Sequence, residues 1–179
     1  MRTGLISAGQ CLSVVLFLLA DVALASGIAP FVGEYAGYAS VERDGQTERR
    51  NMSVEIQEQK KGFSIKWETM IHTAEGNTRK KSYNISFRSS QREGIYASAM
   101  KTNVFGHEVP LDPLAGEPYV WARIRGDTLT VHSLHIDESG GYEIQRYDRT
   151  LVPEGLKLDF ASVRDGEKKK AVSTLLQRQ

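Results

Sequence analysis

The stretch that decides the fold runs from Trp121 to Arg164 and reads WARIRGDTLTVHSLHIDESGGYEIQRYDRTLVPEGLKLDFASVR. Segments rich in β-branched and aromatic residues alternate in it with short turns of Gly, Asp and Pro. This spacing is typical of consecutive antiparallel hairpins, whereas βαβ units separate their strands by helical segments. The stretch therefore predicts an all-β domain.

Strict alternation of apolar and polar residues extends this prediction to the first half of the chain. An opening strand from about Gly33 to Arg43 is followed by three segments with a period of two residues, which is the period of a strand with one face toward solvent. Their apolar positions predict one inner surface, made of Met52, Val54, Ile56, Phe63, Ile65, Trp67, Tyr83, Ile85 and Phe87.

The number and spacing of these segments indicate how the sheet is arranged. About ten short strands follow one another, and short turns join sequential neighbours, which favours a meander. Closing the meander removes its exposed edges. We therefore predict one antiparallel up-and-down barrel of about 8–10 strands, formed by residues 26–179 as a single domain.

The first 25 residues are predicted to be a signal peptide. Arg2 supplies a positive end, Leu12 to Ala20 an apolar centre, and Ala23-Leu-Ala25 a small-x-small cleavage pattern. The alternative is an uncleaved membrane anchor, but the apolar run is shorter than the ~20 residues that a span needs, and Asp21 interrupts it. We expect a periplasmic or secreted protein with no stable membrane span after cleavage.

Charge and motifs argue against several classes of function. The 23 Lys and Arg residues nearly balance the 22 Asp and Glu residues, so the charge does not suggest a nucleic-acid partner. The sequence has no Gly-x-Ser-x-Gly elbow, phosphate-binding glycine loop or His-Glu-x-x-His motif. Its one cysteine, Cys11, lies in the leader. We expect no cofactor and no catalytic residue, with an isomerase-like or cyclase-like pocket as the enzymatic alternative.

Two histidines at close spacing, His132 and His135, raise the question of a metal site. Residues three apart on a strand point to opposite faces, so both could bind one ion only across a bulge. No cysteine and no partner motif accompany them. The sequence therefore predicts no metal ligand.

Gln145, Tyr147 and Arg149 lie two residues apart and share one face of a predicted strand. If that face is internal, the phenol and the guanidinium form a receptor for a carboxylate or phosphate head group. In the alternative phase, Tyr142 and Ile144 face inward and Arg149 lies on the solvent side.

Two tryptophans complete the predicted site. Trp121 shares a face with Arg123, and the pair is interpreted either as part of a cavity wall or as a plug at one end of the barrel. Trp67 belongs to the predicted inner surface. The predicted ligand-binding residues are Tyr147, Arg149, Gln145, Trp121, Arg123 and Trp67.

Three short motifs carry a resemblance to a known group. Phe31-Val-Gly-Glu-Tyr35 is similar to an opening Phe-x-Gly-x-Trp pattern, and Gly126-Asp-Thr-Leu-Thr-Val131 is followed by Gln145-x-Tyr-x-Arg149. With them the chain resembles the calycin group, that is, the lipocalins and fatty-acid-binding proteins, and lipocalin-like exported bacterial proteins. It differs in having Tyr35 in place of Trp and no disulfide.

The resemblance implies a small ligand-holding barrel, and binding proteins of the group pair Arg and Tyr on a late strand around a fatty-acid carboxylate. We therefore expect an exported, non-enzymatic barrel for a small apolar or amphipathic ligand with an anionic head group near Arg149. The alternative is an envelope interaction or assembly module with a solid core and no ligand.

Overall fold

The computed structural model describes residues 27–43, 45–73, 76–98, 101–102, 108–109 and 111–179. The predicted signal peptide, residues 1–25, lies outside the described residues. Among the described residues, no helix combines the length and the apolar character needed to cross a bilayer.

Ten antiparallel strands form a closed barrel in which sequential strands are neighbours, so the predicted up-and-down barrel is confirmed. Two further short strands, β6 (Lys101–Thr102) and β7 (Glu108–Val109), pair as a separate ribbon. The barrel strands are β1 (Gly33–Arg43), β2 (Gln46–Gln59), β3 (Gly62–His72), β4 (Thr78–Ser89), β5 (Ile95–Ser98), β8 (Tyr119–Arg125), β9 (Thr128–Ile136), β10 (Tyr142–Val152), β11 (Gly155–Arg164) and β12 (Glu167–Arg178).

The fifth strand of the barrel is short. β5 ends at Ser98, and Lys101 belongs to the ribbon. A 3-10 helix at Pro113–Ala115 precedes β8, and its Leu114 is 82% exposed.

The two ends of the barrel differ in their filling. At the closed end, a 3-10 helix at Ala29–Phe31 leads into β1 and contributes the buried Phe31 to the core. At the opposite, open end, turns join β1 to β2, β3 to β4, β9 to β10 and β11 to β12. All nine apolar residues predicted for the inner surface belong to the core cluster, pack against it or line the cavity above it.

The seam between β1 and β12 closes the barrel with a short ladder. Two residue pairs, Tyr35 with Arg178 and Ala36 with Gln177, connect the strands there. The backbones approach closely at Gly37, where an added Cβ would collide with the carbonyl oxygen of Leu175. A glycine is therefore needed at this position for the seam to close.

The turn from β9 to β10 at the open end is organised by Asp137. Its Oδ1 accepts hydrogen bonds from the backbone of Ser139 (3.0 Å) and Gly141 (2.9 Å), while its Oδ2 accepts one from Arg164 on β11 (2.7 Å). The hydroxyl of Ser139 and the guanidinium of Arg164 lower the pKa of Asp137 to about 2. The ionised carboxylate therefore links two neighbouring hairpins.

Replacing Asp137 with asparagine is expected to destabilise the barrel at neutral pH. The folded pKa lies below the ordinary value of 3.8, so this carboxylate stabilises the fold above that value and loses its contribution as the pH falls through about 2. Urea unfolding at about pH 7 and about pH 2 should show a difference from wild type that shrinks at the lower pH. Glu138→Gln, at an exposed position of the same turn, is the control. An equal loss at both pH values would contradict the prediction.

Candidate functional site

A cavity of about 150 Å³ lies inside the open half of the barrel, above the packed core. Strands on opposite sides of the barrel line it, because every second residue of each strand points inward. Four of the residues predicted for the site, Trp67, Gln145, Tyr147 and Arg149, are in its wall. The cavity shows that the barrel is not filled throughout.

Arg149 lies on the cavity wall where the packed core begins. Its side chain is 1% exposed, whereas Tyr142 and Ile144 are 38% and 37% exposed. The alternative phase of β10, with Arg149 on the solvent side, is therefore wrong. Leu129 and Leu158 are the direct neighbours of Arg149 on the adjacent strands β9 and β11, and both are buried.

The buried guanidinium of Arg149 has no counter-ion in the part of the chain that the structure describes. Its Nε and Nη1 atoms have no hydrogen-bond partner among the described residues, and no carboxylate of that part of the chain is within ion-pair distance. Burial lowers the pKa of Arg149 to about 10. Since an unpaired buried charge costs several kcal/mol, an anion that reaches this position gains strongly.

Aromatic rings surround this cation. The guanidinium carbon of Arg149 lies 5.4 Å from the ring centroid of Trp67 and 5.6 Å from that of Tyr147. The ring of Tyr147 also packs against Phe160 at 4.8 Å, and Trp67 stacks on Tyr83 at 5.2 Å. These contacts stabilise a positive charge without neutralising it, and they give the cavity flat apolar walls.

A chain of hydrogen bonds runs along β10 from the open end toward Arg149. The hydroxyl of Tyr147 donates to Oε1 of Gln145 (2.8 Å), and Nε2 of Gln145 donates to Glu143 (2.9 Å). Burial raises the pKa of Tyr147 to about 12, so this phenol is neutral at ordinary pH. It therefore leaves the positive charge of Arg149 uncompensated.

Further charged side chains line the cavity toward the open end. Arg50, Lys81 and Lys170 contribute three cations there. Glu48 is buried and binds Arg50 at 2.8 Å, while the cavity-lining Glu68 is bound by Lys80 at 3.0 Å. Glu143 is the other carboxylate of the cavity lining. With Arg50 paired to Glu48 and Glu68 paired to Lys80, Lys81 and Lys170 stand against Glu143, and this small excess of positive charge favours the approach of anions.

Sequence reasoning missed these three cations, although a signal for them was present. Arg50 is in phase with Met52 and Val54 along β2, so strand alternation places it inside. Lys81 and Lys170 are likewise in phase with inward residues of their strands, Tyr83 and Val172. Their charge suggested a solvent position, whereas the barrel interior here is itself polar.

The structure does not bring Trp121 and Arg123 to the site, and this corrects their predicted role. Val120, Ala122 and Ile124 are the core residues of β8, so the residues between them point outward. Trp121 stacks on His132 with ring centroids 4.7 Å apart, on the outer wall. The pair therefore forms neither the cavity wall nor a plug.

No metal site appears in the described part of the chain. It contains no group of three or more His, Cys, Asp or Glu side chains that could hold an ion. The pairing of β9 with both neighbours runs without a register shift, so the bulge needed to bring His132 and His135 together is missing. His135 instead contacts the hydroxyl of Ser133 at 2.9 Å.

Comparisons with known proteins add no relative to this description. No protein-family model matches the chain, no curated protein matches it, and no solved structure matches it. The closed antiparallel barrel itself is consistent with a lipocalin-like fold. The geometry of the cavity is therefore the basis for a function.

Proposed function

We propose that this barrel is an exported, non-enzymatic binding protein for a small, mostly apolar ligand whose anionic group contacts Arg149. The observation that carries the proposal is a guanidinium that is almost fully buried, has no partner at Nε and Nη1 among the described residues, and faces a cavity with aromatic walls. A carboxylate there forms charge-assisted hydrogen bonds in a low dielectric.

The rest of the cavity supports this function. The hydroxyl of Tyr147 donates to Gln145, and the amide of Gln145 donates to Glu143, so both side chains form an ordered wall and leave Arg149 as the main donor to the anionic group. Trp67, Phe160 and Val172 supply apolar surface for the body of the ligand. The cations at the entrance attract anionic ligands, and the proposed partner of Arg149 is an anionic group as well.

Matched acids and alcohols test the anionic requirement. The chain has two tryptophans, and Trp121→Phe leaves Trp67 in the cavity wall as the single tryptophan, whose emission can be excited selectively over that of the tyrosines. Octanoate and benzoate should each quench or shift its emission, while 1-octanol and benzyl alcohol should bind at least about tenfold more weakly. Equal binding of acids and alcohols would contradict the role of Arg149. Absence of binding by all four would contradict the container function itself.

A further inference from the structure

We propose that the cavity selects a single-ring aromatic carboxylate, about the size of benzoate, over a long-chain fatty acid. The inference rests on the proposed function, because it takes Arg149 as the anchor for the carboxylate. It concerns the body of the ligand, for which size, wall shape and the charge of the entrance give three independent arguments.

The first argument is volume. The cavity measures about 150 Å³, and an apolar protein cavity of ~150 Å³ accommodates a benzene ring. The core begins beside Arg149 at its neighbours Leu129 and Leu158, and it continues toward the closed end with the buried pair Leu156 and Leu176. An acyl chain bound by its carboxylate at Arg149 cannot extend in that direction and must leave through the entrance.

The second argument is the shape of the walls. The stacked rings of Trp67 and Tyr83 make an interplanar angle of 27°, and Tyr147 is tilted against both Trp67 (5.9 Å) and Phe160 (4.8 Å). Flat rings at these spacings provide offset and edge contacts to another ring, beyond the gain from buried area. An acyl chain gains the area alone.

The third argument is the charge around the entrance. Arg50, Lys81, Glu143 and Lys170 line the cavity there. A methylene chain that passes between them displaces water from charged groups without replacing their hydrogen bonds, which is unfavourable. A fatty acid bound the other way round, with its carboxylate at the entrance, is also unfavourable. Its apolar tail would then lie against the buried guanidinium of Arg149 and leave that charge unpaired.

The test compares benzoate with dodecanoate by titration of the Trp121→Phe protein. Benzoate is expected to bind at least about tenfold more tightly than dodecanoate. Dodecanoate binding as tightly as benzoate, or more tightly, overturns the inference and leaves the proposed function intact. Failure of both acids overturns the inference and the proposed function together.

Cyclohexanecarboxylate separates flatness from size. It carries the same carboxylate on a puckered ring, so it should bind about threefold more weakly than benzoate if ring contacts matter. Equal or tighter binding of cyclohexanecarboxylate overturns the preference for an aromatic body.

A pair of neighbouring substitutions places the ring within the cavity. Val172→Phe fills part of the apolar wall and should weaken benzoate binding at least about tenfold. Ala171→Phe adds the same ring at the adjacent exposed position and should leave binding unchanged. Circular dichroism and a cooperative thermal transition identify variants that fold. Unchanged benzoate affinity in folded Val172→Phe overturns the inferred position.

Discussion

Replacing Arg149 with methionine is expected to stabilise the ligand-free barrel and, at the same time, to abolish carboxylate binding. The guanidinium is buried, and its Nε and Nη1 have no partner within the described ranges of the chain, so the cost of removing this charge from water is not recovered there. Methionine is unbranched and flexible enough to fill the same space. Replacement of buried ionic groups by apolar ones raises stability by about 1–4 kcal/mol, and a gain in this range is expected in urea unfolding.

The lowered pKa of Arg149 leads to a gain in unfolding free energy of the same magnitude. Burial lowers this pKa from its ordinary value to about 10. The folded protein thus releases the proton more easily than the unfolded chain, so stability is reduced below about pH 10 and recovers as the pH rises toward the ordinary value. The shift corresponds to about 3 kcal/mol at neutral pH. The Arg149→Met variant should lack this dependence on pH.

Binding should change in the opposite direction from stability. Removing one partner of a buried charge pair typically costs 2–5 kcal/mol, so benzoate affinity should fall by about 100-fold or more in Arg149→Met. Arg146→Met is the matched control, because Arg146 is exposed on the outer face of the same strand and is bound to Asp148 at 2.8 Å. The control should stay within about 0.5 kcal/mol of wild type and bind normally.

A purely structural role of Arg149 would produce a different pattern. In that case Arg149→Met would unfold more easily than wild type, and the folded fraction would bind benzoate as before. Either result contradicts the assignment of Arg149 as an anion anchor, because the assignment requires greater stability together with lost binding.

The fold could be predicted from the sequence because one physical signal is strong in most of its strands. Alternation of apolar and polar residues in β2, β3 and β4 determines which side chains face inward, and a shift by one residue would expose all of them. The turns between later strands contain Gly, Asp and Pro at short intervals, which leaves little choice except sequential neighbours. The meander and its closure follow from these two properties.

The orientation of β10 was harder to predict because its polarity is reversed. Ile144 lies on the outer wall beside Leu134 and Val163, its direct neighbours on β9 and β11, while Arg149 points inside. A rule that places apolar residues inside therefore selects the wrong face. The pairing of Leu151 with the buried Leu156 indicates the correct inner face of β10. Both residues are apolar, and Leu151 is in phase with Arg149.

Trp121 was predicted to line the site because it shares a face of its strand with Arg123. The smaller residues of the same strand, Val120 and Ala122, are the ones that fill the interior. Inside a barrel, inward positions near crowded neighbours suit small side chains, and the size of a residue does not indicate its face. The role of Arg178 at the seam could not be predicted either, since it depends on contacts between the first and the last strand of the barrel.

Replacing Arg178 with methionine is expected to weaken that seam and to lower the free energy of unfolding by about 2–4 kcal/mol. Its Nη1 donates to the carbonyl oxygen of Val32 (2.9 Å), and its Nη2 donates to that of Pro30 (3.2 Å) and to the hydroxyl of Tyr35 (2.6 Å). The guanidinium also lies 4.8 Å from the ring centroid of Tyr35. Hydrogen bonds from a charged donor contribute about 1.5–3 kcal/mol each and are not additive, which sets the expected range.

The loss of stability is expected to be largest at the seam. The ladder between β1 and β12 has two residue pairs, whereas the ladder between β10 and β11 has ten. Amide hydrogen exchange in Arg178→Met should therefore accelerate at Tyr35 and Ala36 more than along β10. Lys169→Met removes an exposed charge from the same strand, one bound to the exposed Glu167, and should change neither measurement. Uniform acceleration in every strand of Arg178→Met would mean that Arg178 stabilises the barrel as a whole rather than holding its seam.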